Sequence, residues 1–256
     1  MTTNVSNRRR GTSLLIVLSI ALTTVVAVGV GVEFYARHKV TSCMSHTLEG
    51  ELGGPVDVSL GAKPLLLTAL DHKVSQLNIR SDDASISGIG GATLQGFQLD
   101  SSFHDVELPA SDGSGGTIGS SEANIVWPAP AILSSLQTLP IGMLITGVQL
   151  DSTANSIHVQ LAGGISSITL RPGVAGGAIT MTTTEVTALG FGLPNDLPQQ
   201  IIDQITGNLG EYPLGLAPES VKVADAGLTI QLQGGRAALI ADSTADSTAG
   251  SGCSIF

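Results

Sequence analysis

Leu94–Leu108 reads LQGFQLDSSFHDVEL, and this stretch decides the fold class. Apolar and polar residues alternate along it, as in a strand with one face buried and the other wet. It is long for a strand or a hairpin. The same period of two recurs on both sides, at Val56–Leu60, Val74–Arg80, Met143–Leu150, Ser156–Leu161, Ile165–Leu170 and Ala178–Ala188. Val221–Ala224 and Leu228–Leu232 read as a final hairpin. Gly- and Asn-containing turns separate most of these runs. Helical spacing is rarer. Lys63–Leu70 (KPLLLTAL) is a short helix with Pro64 in its first turn. Trp127-Pro128-Ala129-Pro130 introduces AILSSLQTL, whose Ile132, Leu133, Leu136 and Leu139 fall on one face. Leu197–Leu209 (LPQQIIDQITGNL) puts Ile201, Ile202, Ile205 and Leu209 on one face, with Gly210 past its end. Strands joined by turns rather than helices predict an α+β fold with a large antiparallel sheet, and exclude a doubly wound α/β fold.

The chain has 256 residues, 42% of them hydrophobic and only 12% charged, which is the wrong composition for a disordered polymer. Its net charge of −10 excludes a phosphate-backbone binder, and so nucleic acid as a partner. Aromatic content of 3% argues against stacking platforms for bases or sugars. Glu33–Leu52 has Val40, Cys43, Met44 and Leu48 at near-helical spacing, and Gly53-Gly54-Pro55 stops the pattern. Asp82-Asp83 reads as a solvated turn and Gly88–Gly91 as a hairpin turn.

Leu14–Val32 carries no charge. As a helix it would span roughly 28 Å, close to the thickness of a bilayer core. Arg8, Arg9 and Arg10 precede it, and all 21 acidic residues follow it. Positive charge on the N-terminal side puts residues 1–13 in the cytoplasm and the rest outside. The run reads as an uncleaved signal anchor; a cleaved signal peptide and lipoprotein processing at Cys43 are the competing readings. Residues 33–234 then form one extracytoplasmic domain on a single-pass cell-membrane protein, and residues 235–256, with their Ala-Asp-Ser-Thr repeat, a flexible tail.

No two of the five His residues stand at metal-ligand spacing, no Ser lies in GxSxG, and no phosphate-cradling loop occurs. The sequence therefore names no catalytic residue, no metal ligand and no cofactor. Cys43 and Cys253 are the only cysteines and both fall on the exported side, so a disulfide between them is expected, with two free thiols as the alternative.

Three stretches together resemble the actinobacterial cell-envelope phospholipid-binding family typified by the lipomannan elongation protein. They are Pro55–Leu60 after the anchor and first helix, Lys63–Leu67 running into Val74–Ile79, and Leu193-Pro194 through Leu197-Pro198 to Leu216, Val221–Val223 and Gly227–Ile230. Ala62 stands where the family pattern carries Gly before the Pro. The resemblance implies a tubular lipid-binding fold, in which a long curved antiparallel sheet wraps apolar helices and a slot between them takes acyl chains. The expected slot is lined by Leu66, Leu67, Leu70, Ile132, Leu133, Leu136, Ile201, Ile202 and Ile205, with Trp127 near an entrance. Arg37 and Lys39 read either as solvated charges or as contacts to anionic headgroups. Function is then expected to be non-enzymatic phospholipid binding or transfer at the membrane, supporting envelope lipid or lipoglycan assembly. The alternatives are a membrane-anchored adaptor domain and an enzyme of envelope glycolipid assembly with an unrecognised site.

Overall fold

The computed structural model describes residues 8–89, 92–108, 116–139, 142–188 and 212–239, with side chains of the first helix described from Thr23 onward except at residue 25. The chain opens with one helix, α1 (Arg8–Leu52), so the apolar run and the helix expected after it are continuous. It stops where the sequence says it should: Gly53 takes φ +63° and its N–H reaches Glu49 O at 2.9 Å. Among the described residues no helix is long and apolar enough to cross a membrane. Much of Leu14–Val32 falls outside that statement, because its side chains up to residue 22 are not described.

Among the described residues twelve strands follow, in two sheets rather than the single long sheet expected. The first sheet contains β1 (Val56–Leu60), β2 (Lys73–Ile89), β3 (Ala92–Glu107), β4 (Gly116–Ile118), β5 (Ser120–Trp127), β10 (Leu216–Ala224), β11 (Gly227–Gly234) and β12 (Ala237–Leu239). Its main order is β1-β2-β3-β5-β11-β10, with β4 and β12 paired beside β3. The second is a meander of β6 (Ile145–Asp151), β7 (Ser156–Leu161), β8 (Ser166–Ala175) and β9 (Ala178–Ala188). Every pairing is antiparallel. The division has a local cause. Pro128 ends β5 and caps α3 (Ala129–Gln137), which carries the chain away from the first sheet before β6 begins. A short helix, α2 (Leu65–Asp71), links β1 to β2, with Pro64 as its N-cap. The expected helix at 197–209 lies outside the described residues. β12 falls in the stretch read as a flexible tail.

The long β2–β3 ribbon bends at irregularities of register. Asp82 and Asp83 lie inside β2 as exposed bulge residues between Ser81 and Ala84, not in a turn. On β3, Gly96 is the extra residue between Phe97, paired with Ala84, and Gln95, paired with Ser85. Gly96 has φ +72°, and a Cβ there would stand 2.9 Å from the Ala131 Cβ of α3. That vacancy lets α3 cross β3 closely. The Gln95 N–H donates to Ser135 Oγ at 3.0 Å, and Trp127 Nε1 donates to Gln95 O at 3.1 Å.

The main core lies where α3, the second sheet and the β10–β11 hairpin meet. Ile132, Ile145, Ile157, Val159, Ile179, Val221, Val223 and Leu228 form it. Three polar ties hold the second sheet in place there: Val223 N–H to Asn155 Oδ1 at 2.7 Å, Ser152 Oγ to Asp225 Oδ1 at 2.6 Å, and Ile179 N–H to Tyr212 OH at 3.2 Å. A smaller cluster of Phe103, Val106 and Ile118 seals the far end of the first sheet.

Candidate functional site

Residues directly paired in an antiparallel sheet point the same way, so the register assigns the two faces. One face of the first sheet is polar. Asp57, Arg80, Asp100, Asn124 and Gln231 form a row across five strands, and Arg80 pairs with Asp100. A depression of about 340 Å³ lies on this face, lined by the polar Asp100, Ser102, Glu122, Asn124, Glu219, Gln231 and Gln233, with Ala123 and Leu232 also touching it. Acids and amides give it no wall that an acyl chain would prefer to water.

The opposite face is apolar. One row reads Val56, Ser81, Leu99, Ile125, Ile230 and Val221; the next reads Val58, Ile79, Ser101, Ala123 and Leu232. Leu99, Ile125, Ile79 and Ile230 are only half-buried. Ser81, Ser101 and Ala123 are small, which makes this strip a shallow trough between bulkier neighbours. The serine hydroxyls are turned back onto the sheet, Ser81 Oγ to Pro55 O at 2.8 Å and Ser101 Oγ to Ile79 O at 3.3 Å. Their donors are therefore engaged, and the trough presents carbon to whatever lies on it. Among the described residues, Leu99, Ala123, Ile125 and Leu232 join neither core cluster. Burial of a methylene on such a strip is worth roughly 0.8 kcal/mol.

The described slot residues expected from sequence are not brought together. Ile132 is 4% exposed, and Leu133 and Leu136 pack with it in the closed core between the sheets. Trp127 packs against the same cluster, and its indole N–H is taken by Gln95 O, so it guards no open edge. Leu66, Leu67 and Leu70 on α2 face outward, 54%, 50% and 80% exposed, far from the role of slot wall. The reason is that α2 packs on α1 and β2, whereas α3 packs on β3 and β6. Ile201, Ile202 and Ile205 lie outside the described residues. Cys43 is disulfide-bonded, and Cys253 lies outside the described residues. The trough residues were missed although the alternation that carries them was in plain view. Period two gives two faces but does not say which one the rest of the chain covers.

Arg37 is neither a solvated charge nor a free headgroup contact. Its guanidinium donates to Leu60 O at 3.0 Å, Gly61 O at 2.8 Å and Lys63 O at 2.8 Å. It also stands 3.5 Å from Glu33, one turn earlier on α1. Glu33 in turn accepts from the Leu65 N–H at 2.7 Å and the Leu66 N–H at 3.4 Å, supplying the side-chain cap that Pro64 cannot. The pair rivets α1 to the end of β1 and the start of α2. Lys39 sits 5.8 Å over the Tyr35 ring. Two exposed ion pairs flank this joint. Lys63 holds the Asp71 carboxyl below its ordinary value by hydrogen bonding at 2.6 Å. Lys73 does the same to Glu107, aided by the Thr117 hydroxyl. Among the described residues no group of three or more His, Cys, Asp or Glu could hold a metal ion.

An antiparallel scaffold with one wet face, one apolar trough and a long N-terminal helix defines an α+β protein. The chain belongs to the LmeA-like phospholipid-binding family, whose sequence model matches residues 27–233. It is 30% identical over 224 residues to uncharacterized proteins of Mycobacterium tuberculosis and Mycobacterium bovis. Those matches cover 86% of this chain but 63% of the mycobacterial proteins, so the chain spans less than two thirds of their length. No solved structure matches.

Proposed function

We propose that this protein binds phospholipid by laying acyl chains along the apolar face of its first sheet, and that it does so while tethered to the cell membrane by α1. In this reading it is a non-enzymatic carrier or presenter of lipid, working outside the cytoplasm in support of envelope lipid or lipoglycan assembly. The carrying observation is the trough in which half-buried Leu99 and Ile125 lie beside the small, buried Ser101 and Ala123, on the sheet of a chain from a phospholipid-binding family. The tether is supported by the uncharged run Leu14–Val32 behind Arg8–Arg10, and by Val26, Val28, Val30 and Val32, each half or more exposed on α1.

The test is mass spectrometry of organic extracts from the full chain purified in detergent. Wild-type protein carries phospholipid, and Ile125→Asp, which sets a charge in the trough, carries severalfold less at unchanged circular dichroism. Protein that carries no lipid and takes none from vesicles overturns the reading. It would favour the membrane-anchored adaptor instead, a role that the closed core around Ile132 and Leu136 also suits.

A further inference from the structure

We propose that α2 is a membrane-contact element whose Leu66, Leu67 and Leu70, together with Phe34 and Tyr35 of α1, dock into the headgroup–acyl boundary of the bilayer that α1 crosses. This rests on the anchor reading above. Leu66, Leu67 and Leu70 are 54%, 50% and 80% exposed, and Phe34 and Tyr35 are 76% and 65% exposed. Single apolar residues on a surface need no explanation, but five of them on two elements joined at Glu33 do.

The start of α2 is fixed by hydrogen bonds. The Glu33 carboxylate holds the first amide of α2, Leu65 N–H, at 2.7 Å, and Glu33 is the residue directly after the apolar run that ends at Val32. The α2 leucines therefore begin where the run ends. A bilayer boundary is a level around a helix rather than one side of it, so Phe34 and Tyr35 reach it from other faces of α1. Lys39, over the Tyr35 ring, stands about two turns further out, where an ammonium meets headgroups and water.

Burial there leaves little uncompensated polarity. The single charge of α2, Asp71, is paired with Lys63 at 2.6 Å. Glu33 takes the N-terminal amides, and the His72 N–H takes Thr68 O at 2.7 Å. A second copy of the chain would find the same leucines, but nothing would tie that contact to the end of the apolar run.

The test places a tryptophan in the full chain, reconstituted in phosphatidylcholine–phosphatidylglycerol vesicles. Leu70→Trp is compared with wild type, whose Trp127 supplies the baseline emission. Val26→Trp reports the anchor separately. Lipid brominated near the headgroup end of its acyl chains is expected to cut the added Leu70→Trp emission about twofold, and lipid brominated near the methyl end to cut it less, as befits a helix lying in the interface. Leu67→Trp read the same way keeps the test decisive if Leu70→Trp misfolds. Val26→Trp quenched while the α2 reporters emit as in water overturns the docking and leaves the anchor. Blue-shifted but unquenched α2 reporters mean that protein, a second copy included, covers the patch, and this also overturns it. Quenched α2 reporters with an unquenched Val26→Trp remove the anchor, and with it the bilayer level argued from the end of the run, and so overturn the proposal as stated. Silence at all positions removes both.

Discussion

Replacing Arg37 with alanine removes three hydrogen bonds from a cation to the Leu60, Gly61 and Lys63 carbonyls, and an ion pair to Glu33. Bonds to charged groups contribute about 1.5–3 kcal/mol each in general. They do not add fully here, because the guanidinium side chain is 28% exposed and water replaces part of what is lost. A loss of about 2–4 kcal/mol is the working figure. It falls on one joint rather than on the whole fold, since the bonds connect α1 only to the end of β1 and the start of α2. Hydrogen exchange of the full chain in detergent reads it directly at the Leu65 and Leu66 amides, which Glu33 accepts. Their exchange is expected to quicken by about 30- to 700-fold, one decade per 1.4 kcal/mol. Amides of the second sheet, such as Ile179, keep their wild-type rates. Arg37→Lys is expected to restore less than half of the protection, because an ammonium cannot reach three carbonyls with one planar fork. Exchange at Leu65 unchanged within roughly threefold, or full rescue by lysine, would refute the rivet.

Ile132→Ala is expected to destabilise the full chain by about 2–5 kcal/mol in urea unfolding, because Ile132 is 4% exposed in the main core, whereas Leu70→Ser should change it by less than about 0.5 kcal/mol. Equal effects would contradict the separation of core from surface leucines. Glu107, held below its ordinary value of 4.5 by Lys73 and Thr117, should titrate by NMR below that value and move back toward it in Lys73→Met. Its folded-state value is depressed, so its contribution to the β3–β4 edge is present above pH 4.5 and is lost as pH falls through the lowered midpoint. Gly96→Ala should lower stability, because it forces a Cβ into positive φ against Ala131; a neutral melting temperature would show that α3 can shift away. We propose Cys253 as the partner of Cys43, and Cys43→Ser should then leave one titratable thiol and abolish any mobility difference between reduced and unreduced chain on a denaturing gel.

The sequence by itself determined most of the elements, though not β4, β5 or β12, nor the far half of β2. Period two marked Leu94–Leu108 and Ala178–Ala188 as strands, because a half-buried strand must alternate whatever it packs against. Pro64, Pro128 and Gly53 placed helix ends correctly, because missing amides and positive φ act locally. Membership of a phospholipid-binding family was legible too, from local patterns of apolar and turn residues. The division into two sheets was not, since it depends on where α3 carries the chain between β5 and β6. Nor were the roles of the leucine stripes. KPLLLTAL and AILSSLQTL look alike as sequence, yet α3 is sealed by the second sheet and the β10–β11 hairpin, while α2 is pinned by Glu33 and Arg37 with its leucines outward. Arg37 reads as a solvated charge until the carbonyls of residues 60–63 are folded against it. Burial and long-range hydrogen bonds are properties of surfaces brought together from distant parts of the chain, and only the tertiary structure decides which surfaces meet.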